Sequence, residues 1–484
     1  MSITLPSINL IAVAPLIVLV IFAFLALLSD LFVLRGKTAL GGHLSLLGVI
    51  AASLFSFILW GIEDLTFQRM IILDRFSIFF NLLFLLSAAL TILISYNYLK
   101  DQEMDYGEYY VLLLIATLGM MIMSAGTDLI TIFLGLELMS ISFYILAGFR
   151  RTRARSLEAA LKYFLLGAFA TGFLLYGIAL IYGASGTTNL QGIVEFLKAQ
   201  ESPVNPVMLI GCGLLIVGFG FKVAVIPFHQ WTPDVYEGAP TPITAFMSVG
   251  VKAAGFAALL RVLLIALGDL EPNWSGILWV IAVITMIVGN IVAIAQDNIK
   301  RMLAYSSIAQ TAYVLVGFIS GGELGMISVV FYLAIYTLMN IGAFSVVTML
   351  EKKGEENLLI PGYVGVGFKH PLLGLAMAVF MFSLAGIPPT AGFIGKFYIF
   401  SAAVKSDYIG LAVIGVLCSV ISAYYYLRVL VVMYMREPEG EVTPRNRSAA
   451  ASLSITITAI GVLVLGIIPS SILELVRQAV RALI

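Results

Sequence analysis

Residues 218–256 read GFGFKVAVIPFHQWTPDVYEGAPTPITAFMSVGVKAAGF, two apolar runs that each hold one lysine, Lys222 and Lys252, on either side of a proline-interrupted stretch. Proline removes a backbone donor and breaks a helix, and inside a membrane such a break is tolerated where protein or a wet cavity re-satisfies the freed carbonyls. A second break of the same kind occurs in SLAGIPPTAGFIGKFY, residues 383–398, where Lys396 follows the double proline. A charge at mid-membrane costs several kcal/mol, so a lysine beside a broken helix points to an ion or proton path. Glu137, in the apolar run GLELMSISFYILAGF at 135–149, is the carboxylate of the same set.

The surrounding chain supports a membrane setting. Of the 484 residues 61% are hydrophobic and 11% charged, against about 45 to 50% apolar content in a soluble domain. Formal net charge is zero, which gives nucleic acid no electrostatic hold. Cys212 and Cys418 lack metal-ligand spacing, so no disulfide framework, zinc site or iron–sulfur cluster is expected. No basic residue precedes the first apolar run, which argues against a cleaved signal peptide.

Windows of about 20 apolar residues fit roughly fourteen times. The expected fold is an all-α polytopic membrane protein of about fourteen transmembrane helices, with broken helices at segments 7 and 12. Two interrupted helices five segments apart suggest two inverted five-helix repeats, segments 4–8 and 9–13. The expected divisions are an N-terminal three-helix part (1–107), a first repeat (108–267), a second repeat (268–434), and a C-terminal helix and tail (435–484). Loop Lys and Arg divide about 15 to about 6 between the two sides. The richer side, with Arg150, Arg151, Arg153, Arg155, Lys352, Lys353, Lys369, Arg436, Arg445 and Arg447, is expected to be cytoplasmic, with both termini outside.

The remaining charges sort by position. Lys162 lies one turn after Glu158, a structural (i, i+4) pair. Arg261 and Arg428 lie toward segment ends, where a long side chain is expected to snorkel to headgroups or hold a lipid or partner. Glu137 and Lys252 are too deep to snorkel and require a buried partner or a wet cavity. An amine's hold on its proton weakens with desolvation and strengthens beside a carboxylate. We therefore expect Glu137 to pair with Lys222 and protons to pass to Lys252 and toward Lys396. Secondary candidates are His229 at the first break and Tyr305, Ser306, Ser307 and Gln310 in YSSIAQTAY, residues able to hold water or to tie helices together. His43 and His370 fall near segment starts and read as interfacial. The chain shows no GxGxxG, Walker, haem-ligand or Ser/His/Asp pattern to carry its own redox or hydrolytic chemistry.

Four runs, GLELMSISFYILAGF (135–149), residues 218–256 above, QDNIKRMLAYSSIAQTAYVLVG (296–317) and SLAGIPPTAGFIGKFY (383–398), together resemble subunit N of proton-pumping NADH:quinone oxidoreductase, respiratory complex I, whose mitochondrial counterpart is subunit 2. The resemblance runs the length of the chain. It implies an antiporter-like fold of fourteen helices and a role in one proton channel of the membrane arm. Glu137, Lys222, Lys252 and Lys396 match the family's proton-path positions. It further implies no cofactor in this chain, with FMN, iron–sulfur clusters and quinone in partner subunits, and neighbouring antiporter-like and small membrane subunits as partners in a bacterial inner membrane. Gln310 departs from the pattern, since several family members carry histidine there, and a glutamine relays protons only through held water. The alternatives are a sodium/proton antiporter subunit of the Mrp type and a passive spacer in the membrane arm.

Overall fold

The computed structural model describes residues 8–32, 39–199, 205–351, 358–436 and 448–484. Lys352, Lys353, Arg445 and Arg447 of the expected positive side lie outside them. Two helices, α1 (Ala14–Phe32) and α2 (Ala39–Ile58), lead into a short antiparallel hairpin of β1 (Asp64–Thr66) and β2 (Ile71–Leu73). Then come α3 (Arg75–Asp101), α4 (Glu108–Ala125), α5 (Leu129–Ala147), α6 (Ala154–Ser185) and the short α7 (Leu190–Ala199). The first broken helix is α8 (Pro206–Val223) with α9 (Trp231–Gly238), and α10 (Thr241–Leu259) follows. The second half holds α11 (Glu271–Ile294), α12 (Ile299–Ser320), α13 (Gly322–Leu350), the short α14 (Val366–Lys369), and the broken pair α15 (Pro371–Ala385) and α16 (Ala391–Lys405). The chain ends with α17 (Ile409–Met435), α18 (Ala449–Ile467) and α19 (Ser470–Arg481).

Among the described residues, 13 helices are long and apolar enough to cross a membrane, and the expected span at 371–403 is delivered as the two half-helices α15 and α16. The hairpin adds a strand pair to the all-helical expectation, and α7 and α19 are short helices beyond the expected spans. The last expected span, 449–472, stops at Ile467, because Pro469 starts the separate helix α19.

Burial divides the helices into two kinds. α10, α12 and α13 are buried almost throughout, including their polar residues, whereas α1, α2, α6, α11, α17 and α18 carry rows of exposed large apolar side chains. In lipid there is little hydrophobic drive between helices, so close backbone contact and polar bonds must hold them together. At the crossing of α4 and α5 a Cβ on Gly119 would meet the Gly135 carbonyl oxygen at 2.6 Å, and one on Gly135 would meet that of Gly119 at 2.9 Å. Glycine is what permits this approach. The polar groups of the buried helices are thereby enclosed by protein rather than hydrocarbon.

Each break has a local cause. α8 ends where Ala224 adopts a left-handed conformation (φ 63°) and Pro227 follows, and the Trp231 indole donates to the freed Phe221 carbonyl at 2.9 Å. α15 ends at Gly386, whose φ of 87° suits glycine, just ahead of Pro388 and Pro389.

Candidate functional site: a row of buried amines

Lys222, Lys252 and Lys396 are 1%, 2% and 4% exposed. Lys222 lies in the last turn of α8 and reaches α5, donating to Ser140 Oγ at 2.7 Å and to the Tyr144 hydroxyl at 3.4 Å. Glu137 stands one turn before Ser140 on α5, within electrostatic reach of Lys222. The expected direct ion pair is not formed: Ser140 and Tyr144 take the amine instead. Glu137 is half-buried, on the face of α5 where Leu134, Ile141 and Ile145 are 58%, 53% and 50% exposed, and its Oε1 is buried without a hydrogen bond.

Lys252, on α10, donates to the Ser307 carbonyl oxygen at 2.6 Å and to Thr311 Oγ1 at 2.7 Å, both on α12. Lys396, on α16, donates across the second break to the carbonyl oxygens of Leu384 (3.0 Å) and Ala385 (3.1 Å) and to Ser419 Oγ (2.8 Å). A cation at the open C-terminus of α15 also meets the negative end of that helix's dipole. A cavity of about 820 Å³ between α16 and α17, walled by Phe393, Phe397, Val416 and Leu417, reaches Lys396 from the outer surface.

Gln310 stands between the two amines. It neighbours Thr311 in the chain, and its Nε2 donates to the Leu384 carbonyl oxygen and to the Tyr426 hydroxyl, each at 3.0 Å, while Tyr332 donates to its Oε1. Ser306 bonds Tyr426 as well. A void of about 10 Å³, roughly one water's worth, touches Lys252, Gln310, Thr311 and Tyr336. Of the other secondary candidates, His229 lies on the first break with its Nδ1 buried and unpartnered, Ser307 Oγ is likewise unpartnered, and Tyr305 is half-buried and bonds none of the lysines.

Among the remaining charges Arg261 departs from the expected position, and Lys162 makes the pair expected of it. Arg261 does not snorkel: it is 5% exposed, donates twice to the Asp74 carboxylate at 2.8 and 2.9 Å and once to the Ser124 carbonyl at 2.7 Å. It sits in a π-helical turn, Leu260–Ala266, which rotates the end of this span inward. Lys162 pairs with Glu158 at 2.6 Å and also with Asp234 at 2.8 Å. Arg428 pairs with Asp297 and caps the α11 carbonyls of Ile294 and, beyond them, Gln296. His43 meets the Tyr96 hydroxyl at 3.2 Å. Among the described residues, no three His, Cys, Asp or Glu side chains gather as a metal-binding group. Buried Lys300 and Glu351 escaped the sequence reading, since each sits within two residues of a helix end, where charge is ordinary.

Comparison with known proteins places this geometry in a lineage. The family described as NADH:quinone oxidoreductase/Mrp antiporter, TM, matches residues 126–422. A NADH-quinone oxidoreductase subunit N from Trichlorobacter lovleyi is 54% identical, covering 98% of each chain. Among solved structures, respiratory complex I from Thermus thermophilus with bound aureothin contains a chain 36% identical to this one, with a TM-score of 0.82 over 95% of this chain and 98% of that one. A chain of the Mrp complex from Dietzia sp. DQ12-45-1b shares the fold, with a TM-score of 0.84 at 20% identity, covering 98% of each.

Proposed function

The chain belongs to the family of NADH-quinone oxidoreductase subunit N, and from that premise we propose that it is a proton-translocating, antiporter-like subunit whose relay runs through Glu137, Lys222, Lys252 and Lys396. As a multi-pass membrane subunit of complex I it works with other membrane subunits. Electron transfer from NADH to quinone belongs to those partners, which hold the FMN, iron–sulfur clusters and quinone. The membrane is the bacterial cytoplasmic one, with the arginine-rich face inward.

One observation carries the reading. Two consecutive residues of α12 join two amines: Thr311 accepts from Lys252, and Gln310 shares the Leu384 acceptor with Lys396. A passive spacer has no need of desolvated amines in a linked row, since each such charge is costly to hold. In the relay, Lys252 releases its proton to water held against Gln310, and the Nζ of neutral Lys396 takes up a proton from water at the second break, with Gln310 and the Leu384 carbonyl holding the two sites together. The row comes to the outer wall twice, at half-exposed Glu137 and at the cavity by Lys396, which supports coupling to neighbouring subunits at both places. Two bridges support the inverted repeats: Asp128 pairs with Asn189 on the hairpin side, and Asn298 with Leu359 on the arginine side.

The test is Lys252→Ala and Lys396→Ala in the assembled complex, measured as protons moved per electron in sealed vesicles. A several-fold fall in that ratio at normal assembly is expected. Wild-type ratios in both variants would leave the spacer reading standing.

A further inference from the structure

The face that carries Arg150 to Arg155 holds two buried charges that the central row does not use, Lys300 (1% exposed) and Glu351 (6%). Glu351 follows the last residue of α13, and its carboxylate accepts from the Tyr98 hydroxyl at 3.1 Å and from Thr241 Oγ1 at 2.6 Å. Lys300 Nζ donates to the Ala239 carbonyl oxygen at 2.6 Å, and both Lys300 and Arg153 lie within electrostatic reach of Glu351. The carboxylate therefore stays supplied with positive neighbours while lying just inside the protein.

Thr241 is the first residue of α10, the helix that bears Lys252 about 16 Å further along its axis. From it the buried residues Thr241, Thr244, Ser248 and Lys252 recur at helical spacing and line one face. Asn340, on α13, donates to Ser248 Oγ.

Beside that face lie four buried polar atoms without a hydrogen bond: Asn340 Oδ1, Tyr236 OH, Tyr336 OH and Ser307 Oγ. The two tyrosine hydroxyls both face Ser307 Oγ without closing a bond of normal geometry, and the Ser307 carbonyl is the one that accepts from Lys252. Each unmade buried bond costs about 1 to 3 kcal/mol, and ordered water is the usual remedy where several converge.

We propose that Glu351 is the intake group of the proton path, passing protons from the arginine-bearing face along the polar face of α10 to Lys252, through water held by Asn340, Tyr236, Tyr336 and Ser307. This rests on the reading of Lys252 as a proton carrier. In the step, a Glu351 oxygen gains a proton from the aqueous side and gives it to the first held water. The last water protonates neutral Lys252 Nζ, and the carboxylate is regenerated.

Four variants of the assembled complex decide the matter: Glu351→Gln, Glu351→Asp, Asn340→Leu and Lys252→Ala, each assayed for NADH oxidation with an artificial acceptor and for NADH-driven quenching of an acridine dye in sealed vesicles. Glu351→Gln can still accept from one hydroxyl and donate to the other but cannot carry a proton, so dye quenching is expected to fall several-fold at unchanged assembly and unchanged artificial-acceptor rate. Glu351→Asp should restore part of it, and Asn340→Leu should lower it by drying the strip. Full quenching in Glu351→Gln overturns the proposal. So does a loss of assembly in that variant with normal quenching in Asn340→Leu, which makes the carboxylate a structural anchor. Should Lys252→Ala quench normally, the underlying relay fails; with Lys252→Ala impaired and Glu351→Gln normal, the intake route alone fails.

Discussion

Lys396 Nζ and Gln310 Nε2 donate to the same acceptor, the carbonyl oxygen of Leu384, each at 3.0 Å. That oxygen is free because α15 stops there, so the broken helix supplies the point at which α12 and α16 meet electrically. Gln310 is held by Tyr332 and Tyr426 on the other two sides. Gln310→Leu leaves the Tyr332 hydroxyl unpaired, at a cost of about 1 to 3 kcal/mol, while Tyr426 keeps Ser306 and the Leu384 carbonyl keeps Lys396. It should lower NADH-driven proton uptake several-fold while leaving electron transfer to an artificial acceptor unchanged, and normal uptake would separate Gln310 from the path.

Gly386→Ala should damage the same point by another route. Its φ of 87° is unfavourable to a residue with a Cβ, by about 1 to 2 kcal/mol, and that Cβ would stand 3.0 Å from Lys396 Cδ. The amine is then pushed from its two carbonyls. The expected result is a lower melting temperature of the purified complex together with reduced pumping, whereas wild-type values for both would mean the break tolerates a side chain.

Asp74 and Arg261 tie α3 to the end of α10 by a pair buried on both sides, 1% and 6% exposed at the side chain. Breaking such a pair from one end costs about 3 to 5 kcal/mol, because the other charge is left uncompensated. Asp74→Ala should therefore reduce the amount of assembled subunit markedly. The double variant Asp74→Leu, Arg261→Met should recover much of it, and equal losses in single and double variants would argue against the pair as the cause.

Lys162 makes two ion pairs, yet its side chain is 42% exposed. Exposed pairs contribute about 0 to 1 kcal/mol. Lys162→Met should leave assembly and proton pumping within error of the parent, measured in the same vesicles as Lys252→Ala. A loss of pumping comparable to Lys252→Ala would give Lys162 a place on the path.

The lysines were legible because a charge inside an apolar run is conspicuous whatever surrounds it. Their partners were not. Ser140, Thr311 and Ser419 lie 82, 59 and 23 residues from the amines they hold, and an isolated hydroxyl in a membrane helix carries no mark of its partner. For Arg261, distance to a segment end does not report depth: it lies in a π-helical turn and is held inside by Asp74, 187 residues away. Charge alone suggests a pair between Glu137 and Lys222. Two hydroxyls of α5, Ser140 and Tyr144, take the amine in its place, a choice of partner that the spacing of Glu137 and Lys222 does not encode.

Glu137 gives the subunit an electrical signature that depends on its company. Its half-buried carboxylate, one oxygen of which is enclosed without a hydrogen bond, borders a wall of isoleucine and leucine that faces hydrocarbon in a lone copy and would face another protein surface where a neighbour docks there. Lone and incorporated copies would thus differ in the surroundings of one identifiable charge. On the proposed relay, the carboxylate that carries a proton would in this way also register whether a neighbour covers the wall beside it.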